Sequence, residues 1–234
     1  MLGRPTIVVG ESLPMSAAGK IERAYSVREE ILHAATHGIG AGLAAVAAVF
    51  LFVKVNGQGG MALVAISIYA ASMILMFLSS TLYHAAYNSR HQSFLKMLDH
   101  SAIYFKIAGS YTPFALISLP ASTGLWVAGS AWAAALAGTV FKVVGYLRKS
   151  SGRYKAVSLV LYLTMGWAGL LMISPLAAVL DVAGIYWVIA GGVFYTVGAI
   201  FYAVKSVAYF HAIWHLFVMA GSACHFVAIY FFVL

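Results

Sequence analysis

Three pairs of polar residues stand four positions apart in a chain that is otherwise strongly apolar: His33 with His37, Ser80 with His84, and His211 with His215. Residues four apart on a helix share a face, with Cβ atoms roughly 5–6 Å apart. A His-x-x-x-His pair therefore offers two imidazoles to one metal ion, and a third from another helix completes the set found at catalytic zinc sites. His84 is the natural third partner for His211 and His215. Imidazole suits zinc better than magnesium or calcium, which prefer oxygen ligands; ligand type alone leaves copper, iron and nickel open. The plain alternative for His211 and His215 is a pair of amphipathic rings resting at headgroup level without a metal.

Other groups bear on that chemistry. Asp99 is, with Asp181, one of two acidic residues near the end of an apolar segment after the first. A carboxylate there needs a cation, a metal or a bound water, unless it caps a helix. Lys106, two turns further on, is placed to pair with Asp99 or with lipid phosphate, or to snorkel, and Lys142 reads as snorkelling. His33 and His37 could be further ligands or supports for the ligands. Gly38 and Gly40 beside them indicate a tightly packed face, so a supporting or structural role is assigned to both. His225 lies about 21 Å along a helix from His211 and belongs near the opposite leaflet in a structural hydrogen-bonding role. His91 and His100 read as solvated or interfacial.

The elements that must position these groups are transmembrane helices. Hydrophobic residues make up 63% of the 234 residues and charged residues 9%, against about 25% charged in a soluble domain. Seven windows are apolar enough to cross a hydrocarbon core that needs about 20 residues: Ile31 to Val53, Met61 to Tyr83, Ala102 to Leu119, Gly124 to Tyr146, Ala156 to Ile173, Val182 to Val204 and Ala212 to Leu234. Gly-rich, Pro-containing or charged breaks separate most of them, and Lys205-Ser206 marks the weakest boundary. The expected fold is an all-α, seven-helix membrane bundle over residues 29–234, preceded by a cytoplasmic tail, residues 1–28. Most of the 14 Lys and Arg fall in that tail or in the second, fourth and sixth loops. The positive-inside rule then puts the N-terminus in the cytoplasm and the C-terminus outside.

This distribution also explains the net charge of +8 better than nucleic-acid binding does, since the basic residues are scattered among short loops. Cys224 is the single cysteine, which rules out an internal disulfide. Trp126, Tyr186 and Trp187 look like interfacial belt residues. With the topology set by Lys and Arg alone, Glu29, Glu30, His33 and His37, then Ser80 and His84, then Asp99, then His211 and His215 fall at the cytoplasmic ends of four different spans. Ionisable groups thus converge on one leaflet.

Several separated motifs, in order, resemble the hemolysin III group of bacterial inner-membrane proteins, within the progestin and adiponectin receptor family. They are Glu29-Glu30 followed by Thr36-His37-Gly38-Ile39-Gly40, Ser79-Ser80-Thr81-Leu82-Tyr83-His84, Asp99-His100 leading into Ile107 to Phe114, Met165-Gly166-Trp167, and His211-Ala212-Ile213-Trp214-His215 with Gly221-Ser222 and His225. The resemblance implies seven helices with zinc held near the cytoplasmic face by three histidines, carried here by His84, His211 and His215. It further implies that Ser80 and Asp99 lie beside a zinc-bound water, and relatives of the group point to hydrolysis of lipid amides. His33 stands where a small polar residue such as Asn is expected in this group, a departure that touches the surroundings of the metal.

Three functions follow as expectations. The first is a zinc hydrolase in which Asp99 orients or deprotonates water, Ser80 donates to the oxyanion, and a membrane lipid enters sideways as substrate. The second is a non-enzymatic membrane sensor whose zinc ties helices together, closed by a fourth protein ligand. The third is a channel, ion-coupled carrier or lytic pore, resting on Lys106, Lys142 and His225.

Overall fold

A computed structural model describes residues 25–149 and 152–234; the expected tail, up to residue 24, lies outside them. The first helix, α1 (Val27–Val55), begins where Ser26 accepts a bond from the Glu29 amide while the Glu29 carboxylate accepts from the Ser26 amide. This reciprocal pairing satisfies two of the donors every helix start leaves open. There follow α2 (Gly60–Ala85), α3 (Gln92–Pro113), α4 (Ala121–Leu147), α5 (Gly152–Trp167), α6 (Val182–Ala203) and α7 (Phe210–Ala228). α3 widens into a π turn over Phe114–Ser118 directly after Pro113, and α7 into another over Ile229–Val233. α5 runs on through a 3₁₀ turn, Ala168–Met172, and a short helical turn, Ile173–Ala177. The described residues form helices and connecting turns, with no strand.

The helices follow one another around a ring in chain order, α1 against α2 and so on to α6 against α7, and α1 packs back on α7 to close it. α3 also touches α5, which sets it toward the middle. Among the described residues six helical stretches are long and apolar enough to cross a membrane: α1, α2, α4, α5 with its extension, α6 and α7 with its π turn. α3 is the exception. It carries Lys96, Asp99, His100 and Lys106 and starts ten residues before the expected window at Ala102, because the polar stretch from Gln92 is helical too. A helix this polar is tolerated in lipid only if its neighbours cover its charged side. Asp99, Ala102, Lys106, Gly109 and Pro113, spaced by three and four, form that covered stripe.

α1 follows the same rule. Its buried residues run Glu30, His33, His37, Ala41, Ala44, Ala48, Leu51 and Val55 along one side, while Val46, Val49, Phe50 and Val53 face outward. Large apolar side chains are thus exposed all around the bundle, Leu171 at 84% and Trp126 at 80% among them. Lipid, not a protein core, is the solvent for these faces. Inside, small residues let backbones meet. A Cβ on Gly109 would lie 2.6 Å from Ser72 Cβ, and one on Gly124 would lie 2.1 Å from the Ala115 carbonyl oxygen. These two contacts hold α3 on α2 and the start of α4 on the π turn.

Candidate metal centre

α1, α2 and α7 each deliver histidine to one point. His33, His84 and His215 are buried, His211 is half-buried, and all four ring centroids lie within 5.4 Å of one another. Nitrogens of His33, His84 and His211 fall within 4.8 Å of one another. His84 Nε2 and His211 Nε2 are 3.3 Å apart. Two nitrogens bound tetrahedrally to zinc at about 2.0–2.1 Å would be separated by roughly 3.3–3.4 Å, so this pair is already at ligand spacing. α7 is fixed in place by its preceding residue: Tyr209 sits at φ 63 and its amide donates to Glu29 Oε1 at 2.9 Å. The same Glu29 caps α1, so one carboxylate joins the starts of the two helices that carry three of the histidines.

The hydrogen bonds around the rings decide which nitrogens face inward. Glu30 Oε2 accepts from His84 Nδ1 at 2.6 Å, which leaves Nε2 as the bare nitrogen. Thr36 Oγ1 donates to the carbonyl of Leu32 or His33, so it accepts from His215 Nδ1 at 3.0 Å. His215 Nε2 is then bare as well. It is buried and has no hydrogen-bond partner, as are both nitrogens of His33. A buried polar nitrogen without a partner is unfavourable by roughly 1–3 kcal/mol, and a cation would satisfy His215 Nε2 and the one unprotonated nitrogen of His33. The carboxylate-to-imidazole bond from Glu30 is the arrangement that orients ligands at metal sites. The donor set therefore fits a metal ion, with His84, His211, His215 and His33 able to hold it.

Next to this cluster a cavity of about 200 Å³ runs between α3, α5, α6 and α7. Asp99 and His37 stand at one end; Lys106, Ser110 and His225 lie further along it, and the rest of the wall is mainly apolar. Asp99 is buried and lies 3.1 Å from His100 Nδ1, a charge contact without the alignment of a hydrogen bond. Ser80 is buried one turn before His84, and its hydroxyl has no partner.

Set against the sequence reading, the four helices do bring their polar ends together, and the rings of His84, His211 and His215 lie near one another, but the three nitrogens that come within 4.8 Å of one another belong to His33, His84 and His211, with His33 in the place expected for His215. His33 differs: its ring enters the cluster instead of supporting it, while His37 stacks on His215 at 3.6 Å. His100 is not solvated, since it faces Asp99 and its carbonyl accepts from Tyr162. Lys106 pairs with neither Asp99 nor the surface; its ammonium donates to Ser110 Oγ at 2.7 Å. Glu30 is the functional residue whose part was not read from sequence. The available signal was its place one turn before His33 at the depth of the histidines. His225 meets the Val188 carbonyl at 3.3 Å, and His91 lies on the surface beside Arg90.

Fold and cluster together define a multi-pass α-helical membrane protein with a buried histidine cluster and, separately lined, a mainly apolar cavity next to it. The family model for haemolysin-III related proteins matches residues 25–226, and the chain belongs to that family. It is 41% identical over 209 residues to the hemolysin-3 homolog of Bacillus subtilis, covering 89% of this chain and 96% of that one. Hemolysin-3 of Bacillus cereus is 41% identical with 89% and 93% covered. The human monocyte to macrophage differentiation factor is 31% identical over 169 residues, with 70% and 68% covered.

Proposed function

We propose that this chain is a zinc-dependent hydrolase of lipid amides or esters in the bacterial inner membrane, with its metal end toward the cytoplasm. The observation that carries this reading is the set of bare, buried histidine nitrogens beside an apolar cavity that has Asp99 at the same end. Zinc held by imidazoles supplies Lewis acidity and brings the pKa of water from about 15.7 toward 7. The chain's own groups do the rest. The cavity takes an acyl chain from the bilayer and keeps bulk water away from the reacting carbonyl. Asp99 accepts the proton of the attacking water and returns it to the leaving amine or alcohol. Ser80, whose hydroxyl is uncommitted, donates to the carbonyl oxygen as negative charge builds there. Glu30 holds the His84 ring in the orientation that points Nε2 inward.

The test is fatty-acid release from a panel of acyl amides and esters by the zinc-loaded protein in lipid nanodiscs. Release that disappears in Asp99→Asn supports the reading, and no release from any acyl lipid by zinc-loaded wild type contradicts it.

His33 favours a second reading, a non-enzymatic regulator. Four imidazoles close a tetrahedral shell and leave no open position, the pattern of structural zinc. In that case chelation loosens the bundle, measured as a fall in the thermal midpoint, and His33→Asn does not create activity.

A further inference from the structure

Three half-buried lysines stand around His100, at the end of the bundle that holds the metal centre. Lys96 lies one turn before His100 on α3, Lys142 is near the end of α4, and Lys205 follows α6. Each ammonium stands over a tyrosine ring: Lys96 over Tyr83 at 5.8 Å, Lys142 over Tyr162 at 5.9 Å and Lys205 over Tyr202 at 5.3 Å. All three tyrosines meet His100. The Tyr83 ring is 6.5 Å from the His100 ring, the Tyr162 hydroxyl donates to the His100 carbonyl at 2.8 Å, and the Tyr202 hydroxyl is 3.4 Å from His100 Nε2. Lys96 and Lys142 both act electrostatically on the His100 ring.

Basic residues that only set topology look different. Arg90, Arg148 and Lys149, at the same end, are exposed, whereas the three lysines lie against aromatic faces, which fixes where their charge sits. The acidic residue that contacts this group is Asp99, 3.1 Å from His100 Nδ1, so three cations face one carboxylate. Such an excess attracts an anion with several acceptor oxygens, and each ammonium offers donors to a phosphate. Leu98, Leu147, Val204 and Val207, near the lysines in sequence, are exposed. That apolar surface suits the glycerol and upper chains of a lipid better than a free, hydrated phosphate. Basic pockets between membrane helices bind anionic lipid headgroups in this way.

We propose that Lys96, Lys142 and Lys205 form a binding site for the phosphate headgroup of an anionic membrane lipid, whose chains remain in the surrounding bilayer. The headgroup lies beside the Asp99 end of the cavity and outside it: Asp99, Tyr162 and Tyr202 line the cavity, and the three lysines do not. This site needs neither metal nor hydrolysis and stands even if the histidine centre turns nothing over.

The test titrates phosphatidylglycerol, and phosphatidylethanolamine with the same chains, against purified protein by native mass spectrometry. Wild type is compared with the triple variant Lys96→Gln, Lys142→Gln, Lys205→Gln and with a charge-matched triple variant, Arg90→Gln, Arg148→Gln, Lys149→Gln. Wild type is expected to hold phosphatidylglycerol roughly ten- to a hundredfold more tightly than phosphatidylethanolamine, whose own ammonium the lysines repel. The lysine variant should bind the two alike, and the charge-matched variant should keep the preference. An unchanged thermal midpoint checks that the lysine variant folds; if it does not, the three single substitutions are read instead, each expected to lose several-fold. The proposal is overturned if wild type shows no preference, if the lysine variants retain it, or if the charge-matched variant loses it equally. Displacement of bound lipid by inorganic phosphate, and not by chloride at the same ionic strength, would assign the site to free phosphate and overturn the lipid.

Discussion

Two histidines of the centre are oriented by the group behind them. Glu30 at 2.6 Å and Thr36 at 3.0 Å fix the tautomers of His84 and His215. Glu30→Gln keeps the shape but removes the charge, and is expected to weaken metal affinity roughly 10- to 100-fold, read by competition with a chelator. Asp99→Asn should leave metal content intact while lowering acyl-lipid turnover about 10²- to 10⁴-fold. A fall in metal content would instead make Asp99 a ligand. The pair His211 and His215 was legible because one helix carries both at i and i+4, and His84 because depth matched it to them. His33 and His37 show the limit of such reasoning. They share a face, and only the crossing of α1 over α7 decides that the His33 ring reaches the centre while the His37 ring stacks beside it. The packing of α1 on α2 brings Glu30 to His84, 54 positions away in sequence.

Among the elements, α3 is the one whose apolar pattern gave the poorest guide. Its charges shortened the expected span, whereas the fold keeps the whole polar start helical and turns it inward against α2, α4 and α5. Close approach to α2 makes that possible. Gly109→Ala would drive a methyl group to 2.6 Å from Ser72 Cβ, an overlap that only helix separation relieves. Such overpacking typically destabilises by about 1–3 kcal/mol, so the thermal midpoint should fall by several degrees. Gly42→Ala, with nothing within 4 Å, should leave it unchanged. Equal midpoints for the two variants would show that α2 and α3 are less closely packed than described. The other six segments were legible to within a few residues, because lipid selects long apolar runs almost irrespective of what they pack against.

For the whole molecule, the ring of helices in chain order puts every histidine of the centre at one end of the bundle. The orientation proposed from the Lys and Arg distribution puts that end in the cytoplasm and, if α3 also crosses, the C-terminus outside. Alkaline phosphatase fused after Leu234 should therefore be active in intact bacteria, and activity only in a fusion to the N-terminus would reverse the orientation. The haemolysin-III related family model matches residues 25–226, a range that includes the histidine cluster and the cavity lining. The central claim is that the converging histidines hold a metal ion. It is tested most directly by elemental analysis of purified wild type beside His84→Ala and His215→Ala. The account predicts close to one zinc per chain in wild type and little in either variant; equal metal content in all three would contradict it.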